Sequence, residues 1–279
     1  MIKNVAISGL GLMGASTAKA VKKYTDCIVY GYNRTTTVTD KALSDGAIDY
    51  VLTDDNIKEI DLLMVGMFPS SAIVYLKNII PKLKKGTMLI DLVGVKTSLI
   101  DELDDLCVEY GVNFIGGHPM AGKAIAGYTN STPELYNDAS MILVPTKSTV
   151  EKTIPMAKEF FLKLGFGRVI VCTKETHDSM IAYTSQLAHV VSSAFIKSPN
   201  AKNHKGYSAG SYKDMTRIAC LNENVWTELF LYNSNALVEE IDILVKNMMN
   251  IRNSIAQKDE DALKTLLKQG RLLKEEIDL

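Results

Sequence analysis

A mostly parallel α/β domain followed by an all-helical domain is what this chain of 279 residues predicts, and three observations carry the prediction. Seven short apolar runs alternate with segments of helical period through roughly the first 170 residues, a glycine turn joins the first run to the first helix, and beyond about residue 173 no strand pattern recurs.

The runs are VAISGL, CIVYGY, LLMVGM, TMLIDLV, VNFIGG, SMILVP and RVIVCT. They are nearly all apolar instead of alternating with polar residues, which marks strands buried on both faces, as in a parallel sheet covered by helices. Helical segments between them include residues 14–24, 71–83 and 98–110, the last opened by Ser98 with Asp101 three positions on, in the manner of a capping box. After residue 173 the helical patterns lengthen, to 175–197 and then 222–257, and end in a charged terminal pair broken near Gly270. The division therefore falls near Cys172 and Thr173, giving domains 1–172 and 173–279. Along 222–257, Trp226, Leu229, Phe230, Leu237, Ile241, Leu244, Met248 and Ile251 keep helical spacing. That stripe runs for about 45 Å, longer than a domain of about 100 residues covers by itself. A second subunit, in a homodimer through the helical domain, is the expected cover; the chain's own helices are the other possibility.

Composition excludes several classes. The chain is 47% hydrophobic and 23% charged with a net charge of -1, so no bulk positive charge points to nucleic acid or an anionic membrane. No uninterrupted apolar stretch reaches membrane-spanning length, and MIKNVAISGLGLMG runs straight into a strand pattern with no leader, so a cytoplasmic location is expected. The four cysteines, Cys27, Cys107, Cys172 and Cys220, show neither metal-ligand nor disulfide spacing, and no metal site is expected.

The chemistry-bearing residues collect where strands end. Gly9, Leu10, Gly11, Leu12, Met13 and Gly14 form a Gly-x-Gly-x-x-Gly between the first strand and the first helix. In such a turn Gly9 permits the sharp bend, Gly11 lets a pyrophosphate approach the backbone, and Gly14 lets helix and strand pack closely. Leu12 and Met13 lie in the same cradle, so a dinucleotide is the expected cofactor. At the end of the second strand the residues are Asn33, Arg34 and Thr35, with no carboxylate to repel a 2′-phosphate and a guanidinium to attract one. NADP is therefore favoured, with NAD possible; stacking of Arg34 on adenine without choice of cofactor is the other use of that residue. Phe68 and Pro69 end a further strand on the rim expected to hold the nicotinamide half. Lys96, after the strand ending DLVGVK, faces either substrate or solvent. His118 follows VNFIGG at a strand's C-terminal end, among Gly116, Gly117, Ala121 and Gly122, which keep the wall around it low. An imidazole of near-neutral pKa in that place is a candidate base for a substrate hydroxyl.

In the helical half, Asp178, Ala182, Ser185 and His189 fall at steps of four, three and four, on one helix face. Asp178 and His189 lie too far apart along the axis to bond, which leaves His189 as a separate polar contact or a satisfied core histidine. Arg217, in GSYKDMTRIA, offers a planar fork for a carboxylate, or pairs with Asp214.

The order and spacing of GLGLMG, the Asp91 to Lys96 stretch, GGHPMAG, His177-Asp178 opening a helix that runs to SQLAH, and YKDMTRIA followed by Trp226 and Asn233 resemble the prephenate/arogenate dehydrogenases of tyrosine biosynthesis. The resemblance spans nearly the whole chain. It implies an N-terminal Rossmann domain, an all-α dimerisation domain, and oxidative decarboxylation of prephenate to 4-hydroxyphenylpyruvate or of arogenate to tyrosine. By the same resemblance His118 is the catalytic residue that deprotonates the ring hydroxyl, His189 a substrate-side ligand, and Arg217 the partner of a substrate carboxylate. Three positions depart from the pattern: Gly94 replaces a common serine, Ala124 a common acid, and Gln186 the first histidine of a His-x-x-His pair. Those departures keep two other readings in view, a related two-domain dehydrogenase or imine reductase, and a cofactor-binding sensor without turnover.

Overall fold

The computed structural model of the chain describes residues 2–123 and 125–278. Eight strands are present among them: β1 (Asn4–Ser8), β2 (Ile28–Tyr32), β3 (Tyr50–Val51), β4 (Leu62–Val65), β5 (Met88–Asp91), β6 (Asn113–Pro119), β7 (Ser140–Pro145) and β8 (Arg168–Val171). The helices that frame them are α1 (Leu12–Tyr24), α2 (Thr36–Ser44), α3 (Pro69–Ile79), α4 (Thr97–Tyr110) and α5 (Thr153–Lys163). Then come α6 (Lys174–Ile181), a π-helical segment (Ala182–Gln186), α7 (Leu187–Phe195), α8 (Gly210–Thr216), α9 (Glu223–Tyr232), α10 (Ser234–Gln257) and α11 (Glu260–Ile277).

The sheet order is β3-β2-β1-β4-β5-β6-β7-β8, parallel throughout except that β7 runs antiparallel to β6. All seven expected strands are present; β3, two exposed residues at the sheet edge, is the addition. Alternate residues feed opposite faces, as the pleat demands. Val5, Ile7, Leu62, Met64 and Ile90 enter one apolar cluster, while Ala6, Leu63, Val65, Leu89 and Phe114 enter the other. A sheet with two buried faces is why the strands read as unbroken apolar runs.

The described chain forms two compact units, Met1–Ile181 with Cys220–Asn233, and Ala182–Ala219 with Ser234–Leu279. The first unit thus recruits α9, whose Leu229 and Tyr232 pack on the second apolar cluster. The expected single helix over 222–257 is corrected to two helices, broken at Asn233 (φ -120°, ψ 28°), whose side-chain amide donates to the Asp178 carbonyl. The Ser98 capping box is also corrected. Lys96 is the N-cap residue of α4, Ser98 Oγ donates to the Tyr232 carbonyl, and Asp178 caps the helix by accepting from the backbone N–H groups of Lys96 (2.9 Å) and Thr97 (2.8 Å). The π-helical segment interrupts the 3.6-residue spacing between Asp178 and His189, so the single polar face does not hold across it.

In the second unit α10 packs on the π-helical segment and on α7, and α8 lies against α7. The helix α11 runs unbroken through Gly270; the break instead falls at Lys258 (φ 55°), and Asp259 caps α11 by accepting from Ala262 N–H. Of the expected stripe on α10, Leu237 is buried, but Met248 is 59% exposed, as is Ile255, one turn beyond the stripe, at 58%. No helix among the described residues is long and apolar enough to cross a membrane.

Two glycines of β6 are fixed by the strand register. A Cβ on Gly117 would stand 2.4 Å from the Asp91 carbonyl oxygen, and one on Gly116 would stand 2.9 Å from Lys96 Cδ. Nothing lies within 4 Å of the corresponding position on Gly122. Gly117→Ala is expected to lower unfolding free energy by about 1–3 kcal/mol, as overpacking does. Gly122→Ala should stay within about 0.5 kcal/mol of the parent. Urea titration of the two variants checks the contrast, and equal midpoints would contradict it.

Candidate active site

The glycine turn at the end of β1 is built as its spacing requires. Gly9 adopts φ 89°, and a Cβ there would meet the Gly66 carbonyl oxygen at 2.5 Å. A Cβ on Gly14 would fall 2.0 Å from the Gly9 carbonyl oxygen, so only glycine lets α1 start this close to β1. The space over Gly11 is open to at least 4 Å, and no side chain caps the N-terminus of α1 among the described residues. Unpaired N–H groups, an open approach and no acidic residue in the first turn fit a pyrophosphate. Leu12 is buried and Met13 half-buried behind that turn.

Asn33 does more than omit a carboxylate: its Oδ1 accepts from Leu10 N–H at 3.0 Å and so ties the end of β2 to the glycine turn. Arg34 and Thr35 are exposed beside it, Thr35 being the N-cap residue of α2 with its hydroxyl not used as a cap. Phe68, exposed, precedes α3 and Pro69 is the first residue of that helix. The N-terminus of α3 is already served, since Glu228 of α9 accepts from Ser70 N–H (3.1 Å) and Ser70 Oγ–H (3.0 Å). The N-terminus of α1, with open space over Gly11, is not served in this way.

Two strands along, β5 ends at Asp91 and the loop to α4 carries Gly94 and Lys96. Lys96 is fully buried, its ammonium paired with the equally buried Asp91 carboxylate. The expectation that Lys96 faces substrate or solvent is corrected: it points inward, along the space that Gly116 vacates, to a carboxylate of its own unit. Gly116 and Gly117 likewise lower the wall for Lys96 and Asp91, not for a ligand. Burial pushes the Lys96 ammonium below its ordinary pKa, with Asp91 pushing back.

His118 is half-buried near the end of β6. Its Nδ1 lies 2.9 Å from His177 Nε2, and His177 Nδ1 lies 2.7 Å from Asp178 Oδ1, so three side chains of two elements form a continuous chain. Its Nε2 lies 3.7 Å from where a Cβ on Gly94 would stand, with Leu229 Cδ2 at 3.4 Å from the same point. Burial, then the neighbouring His177 and Lys96, hold the His118 pKa well below the ordinary histidine value. His177 is lowered too, first by burial, against the pull of Asp178. Burial raises Asp178, but the hydrogen bonds from His177 and Thr97 outweigh it and leave that carboxyl below its usual range. At neutral pH the chain thus reads carboxylate, neutral imidazole, neutral imidazole.

His189 and Arg217 both belong to the second unit, and the Arg217 charge lowers the His189 pKa after burial. His189 Nδ1–H donates to the Ser185 carbonyl at 2.9 Å. Gln186 is buried, and position 124 lies outside the described residues. The sequence reading missed the link from His177 to His118. The adjacent His177-Asp178 pair was its available signal, an imidazole beside a carboxylate at the start of a helix. Among the described residues no group of three His, Cys, Asp or Glu side chains could hold a metal ion.

Comparison with known proteins places the chain in a family. Residues 17–171 match the family model of the prephenate dehydrogenase nucleotide-binding domain, and residues 173–269 match that of the prephenate dehydrogenase dimerization domain. The chain is 31% identical to a cyclohexadienyl dehydrogenase of Zymomonas mobilis, over 97% of this chain and 94% of that one. It is 27% identical to a prephenate dehydrogenase of Lactococcus lactis, over 100% of this chain and 78% of that one. The crystal structure of prephenate dehydrogenase from A. aeolicus in complex with hydroxyphenyl propionate and NAD+ superposes with a TM-score of 0.87 at 27% identity, covering 99% of each chain. With both halves matched by its models and a relative at this identity over nearly the full length, the chain belongs to the prephenate dehydrogenase family.

Proposed function

We propose that this chain catalyses NAD(P)-dependent oxidative decarboxylation of a cyclohexadienyl acid, prephenate or arogenate, with His118 as the base. The observation that carries the reading is the half-buried imidazole at the end of β6, its pKa lowered by burial, on the same sheet end as the glycine turn of β1. Gly9, Gly11, Leu12, Met13 and Gly14 would hold the pyrophosphate, Asn33, Arg34 and Thr35 the adenosine end, and Phe68 and Pro69 the rim farther along. When bound, nicotinamide supplies the acceptor for hydride from the hydroxyl-bearing ring carbon.

The residues then have a proton to manage. His118 takes the hydroxyl proton as the carbon–oxygen bond becomes a carbonyl, and loss of the ring carboxylate as carbon dioxide returns an electron pair to that oxygen. His118 gives the proton back to the resulting phenolate, so no net proton leaves the site. Aromatisation makes the sequence strongly downhill, and the protein's task is alignment and proton handling. Arg217 is the proposed partner of a substrate carboxylate and His189 a second substrate contact; their proximity to one another supports the pairing. Lys96 acts on the substrate only through what it positions. The other two-domain dehydrogenases, imine reductases and an inactive sensor are not favoured, because both halves match prephenate dehydrogenase models and the imidazole chain is intact. A cytoplasmic setting is part of this reading, and exposed Met248 and Ile255 on α10 support a homodimer.

Steady-state rates with prephenate and with arogenate, each with NAD and NADP, test the reading directly; no reduced cofactor from either acid would overturn it. His118→Asn should cut kcat by about 10²–10⁴-fold, the usual share of general base catalysis. Cofactor affinity should hold. The neutral form of His118 is the active one and its pKa is lowered, so kcat/KM should stay level as pH falls to the ordinary histidine value of 6.5 and drop only below it. A midpoint above 6.5 in the pH profile would contradict that assignment. Arg34→Ala should raise KM for NADP by about 10- to 100-fold, the worth of a charge-assisted bond, and leave KM for NAD unchanged. An equal effect on both cofactors would assign Arg34 to adenine. Finally, light scattering should give a dimer for the parent and a monomer for Met248→Glu/Ile255→Glu.

A further inference from the structure

We propose that Asp178 and His177 are positioning residues that lock His118 in one tautomer, with its proton on Nδ1 and an open lone pair on Nε2 aimed past Gly94. This deepens the function proposed above and rests on it. The argument is one of donors and acceptors. Asp178, already accepting from the N–H groups of Lys96 and Thr97, has only acceptor capacity toward the ring 2.7 Å away. His177 Nδ1 must therefore carry a hydrogen. A neutral His177 then has a bare Nε2, which accepts from His118 Nδ1–H across 2.9 Å. A neutral His118 is left with its lone pair on Nε2, the atom beside Gly94 and Leu229. Were the chain reversed, Nε2 would carry a hydrogen and repel the hydroxyl proton it is meant to accept.

The lock is held from several sides. Asp91 of β5 and Lys96 at the head of α4 are charged groups beside the pair, His177 and Asp178 come from α6, and Leu229 of α9, beside Gly94, is uncharged. His177 is 1% exposed and Asp178 4% exposed, so water does not compete for either bond. Because one carboxylate also caps α4, the loop carrying Gly94 and the tautomer of His118 are set by the same group. When His118 accepts the substrate proton on Nε2, Nδ1–H stays where it is, and the same proton returns to the product oxygen.

The chain has four histidines, so a long-range ¹⁵N–¹H spectrum of ¹⁵N-histidine-labelled parent protein can read each ring. His118 should show Nδ1 protonated and Nε2 bare near neutral pH; the opposite tautomer would overturn the proposal whatever the kinetics say. His177→Phe should lower kcat by about 10- to 100-fold, a part of the full contribution of the base. KM for the cyclohexadienyl acid and for the cofactor should change less than about twofold, as expected when a transition-state interaction is lost. His177→Gln, which can place a carbonyl where Nε2 stood, should recover at least half of the loss on a logarithmic scale. A purely structural role would instead raise KM in both variants and give no recovery with Gln, which also overturns the proposal. If His177→Phe does not fold, the tautomer of the parent decides. Failure of the functional reading looks different: the parent would reduce no cofactor with either acid, or His118→Asn would keep full turnover, while the Nδ1–H tautomer is still observed.

Discussion

The carboxylate of Asp178 is the group on which the site depends. It accepts two backbone N–H bonds at the head of α4 and one from the His177 ring. A negative charge at a helix N-terminus is favourable on its own account. Here that capping bond also fixes the loop between β5 and α4, and the ring bond fixes α6 against β6 through His118. Asn233 adds a third tie, donating to the Asp178 carbonyl from the break that ends α9. One residue thus joins the parts of the first unit that border the proposed base. A carboxylate buried to this extent is tolerated because its lone pairs are met by fixed donors.

Beside it sits a second buried ionic element, the Lys96–Asp91 pair. Buried pairs seldom add net stability, but losing one partner strands the other and costs about 3–5 kcal/mol. The value of this pair lies in its effects on its surroundings. Asp91 also accepts from Val93 N–H and Gly117 N–H, so the pair pins the end of β5, the following loop and β6 together. Burial, then His177 and the Lys96 charge, lower the His118 pKa. Glycines at 116 and 117 are the steric condition for this arrangement, since any side chain there would occupy the room of Lys96 and Asp91.

Local pattern made the sheet, the glycine turn and His118 legible in the sequence, because strand burial, turn geometry and placement at a strand end are all short-range properties. What escaped was long-range. The cap of α4 comes from a residue 81 positions from Thr97, so Ser98 with Asp101 imitated a capping box whose work is done by Asp178. The break at Asn233 follows from its bond to Asp178, and nothing in the stripe of Leu229, Phe230 and Leu237 announces it. Lys96 was read as a rim residue because it follows a strand that ends there; a lysine is rarely buried, and the pairing with Asp91 makes its burial possible. Gly270 was read as a helix end, but an exposed mid-helix glycine costs only about 1 kcal/mol, too little to break α11. Among the departures from the family pattern, Gly94 acquires a place: it borders Nε2 of His118.

Gly94 also differs in kind from Gly116 and Gly117. A Cβ at 94 would meet Leu229 Cδ2 at 3.4 Å and His118 Nε2 at 3.7 Å, ordinary contacts that the fold accepts. Packing therefore does not require glycine there, whereas it does at the other two positions. Without a side-chain hydroxyl at 94, less of the loop can hold the oxygen of a bound cyclohexadienol in line with the imidazole. On the proposed mechanism more of that orientation would come from His118 itself, through a lone pair whose direction is set by the ring plane. The ring plane is set in turn by its bond to His177, and that bond by Asp178. On the mechanism proposed above, a base with no hydroxyl beside it has the more need of a rigid acceptor chain behind it, and the buried His177-Asp178 pair, not the rim, is what would supply that precision.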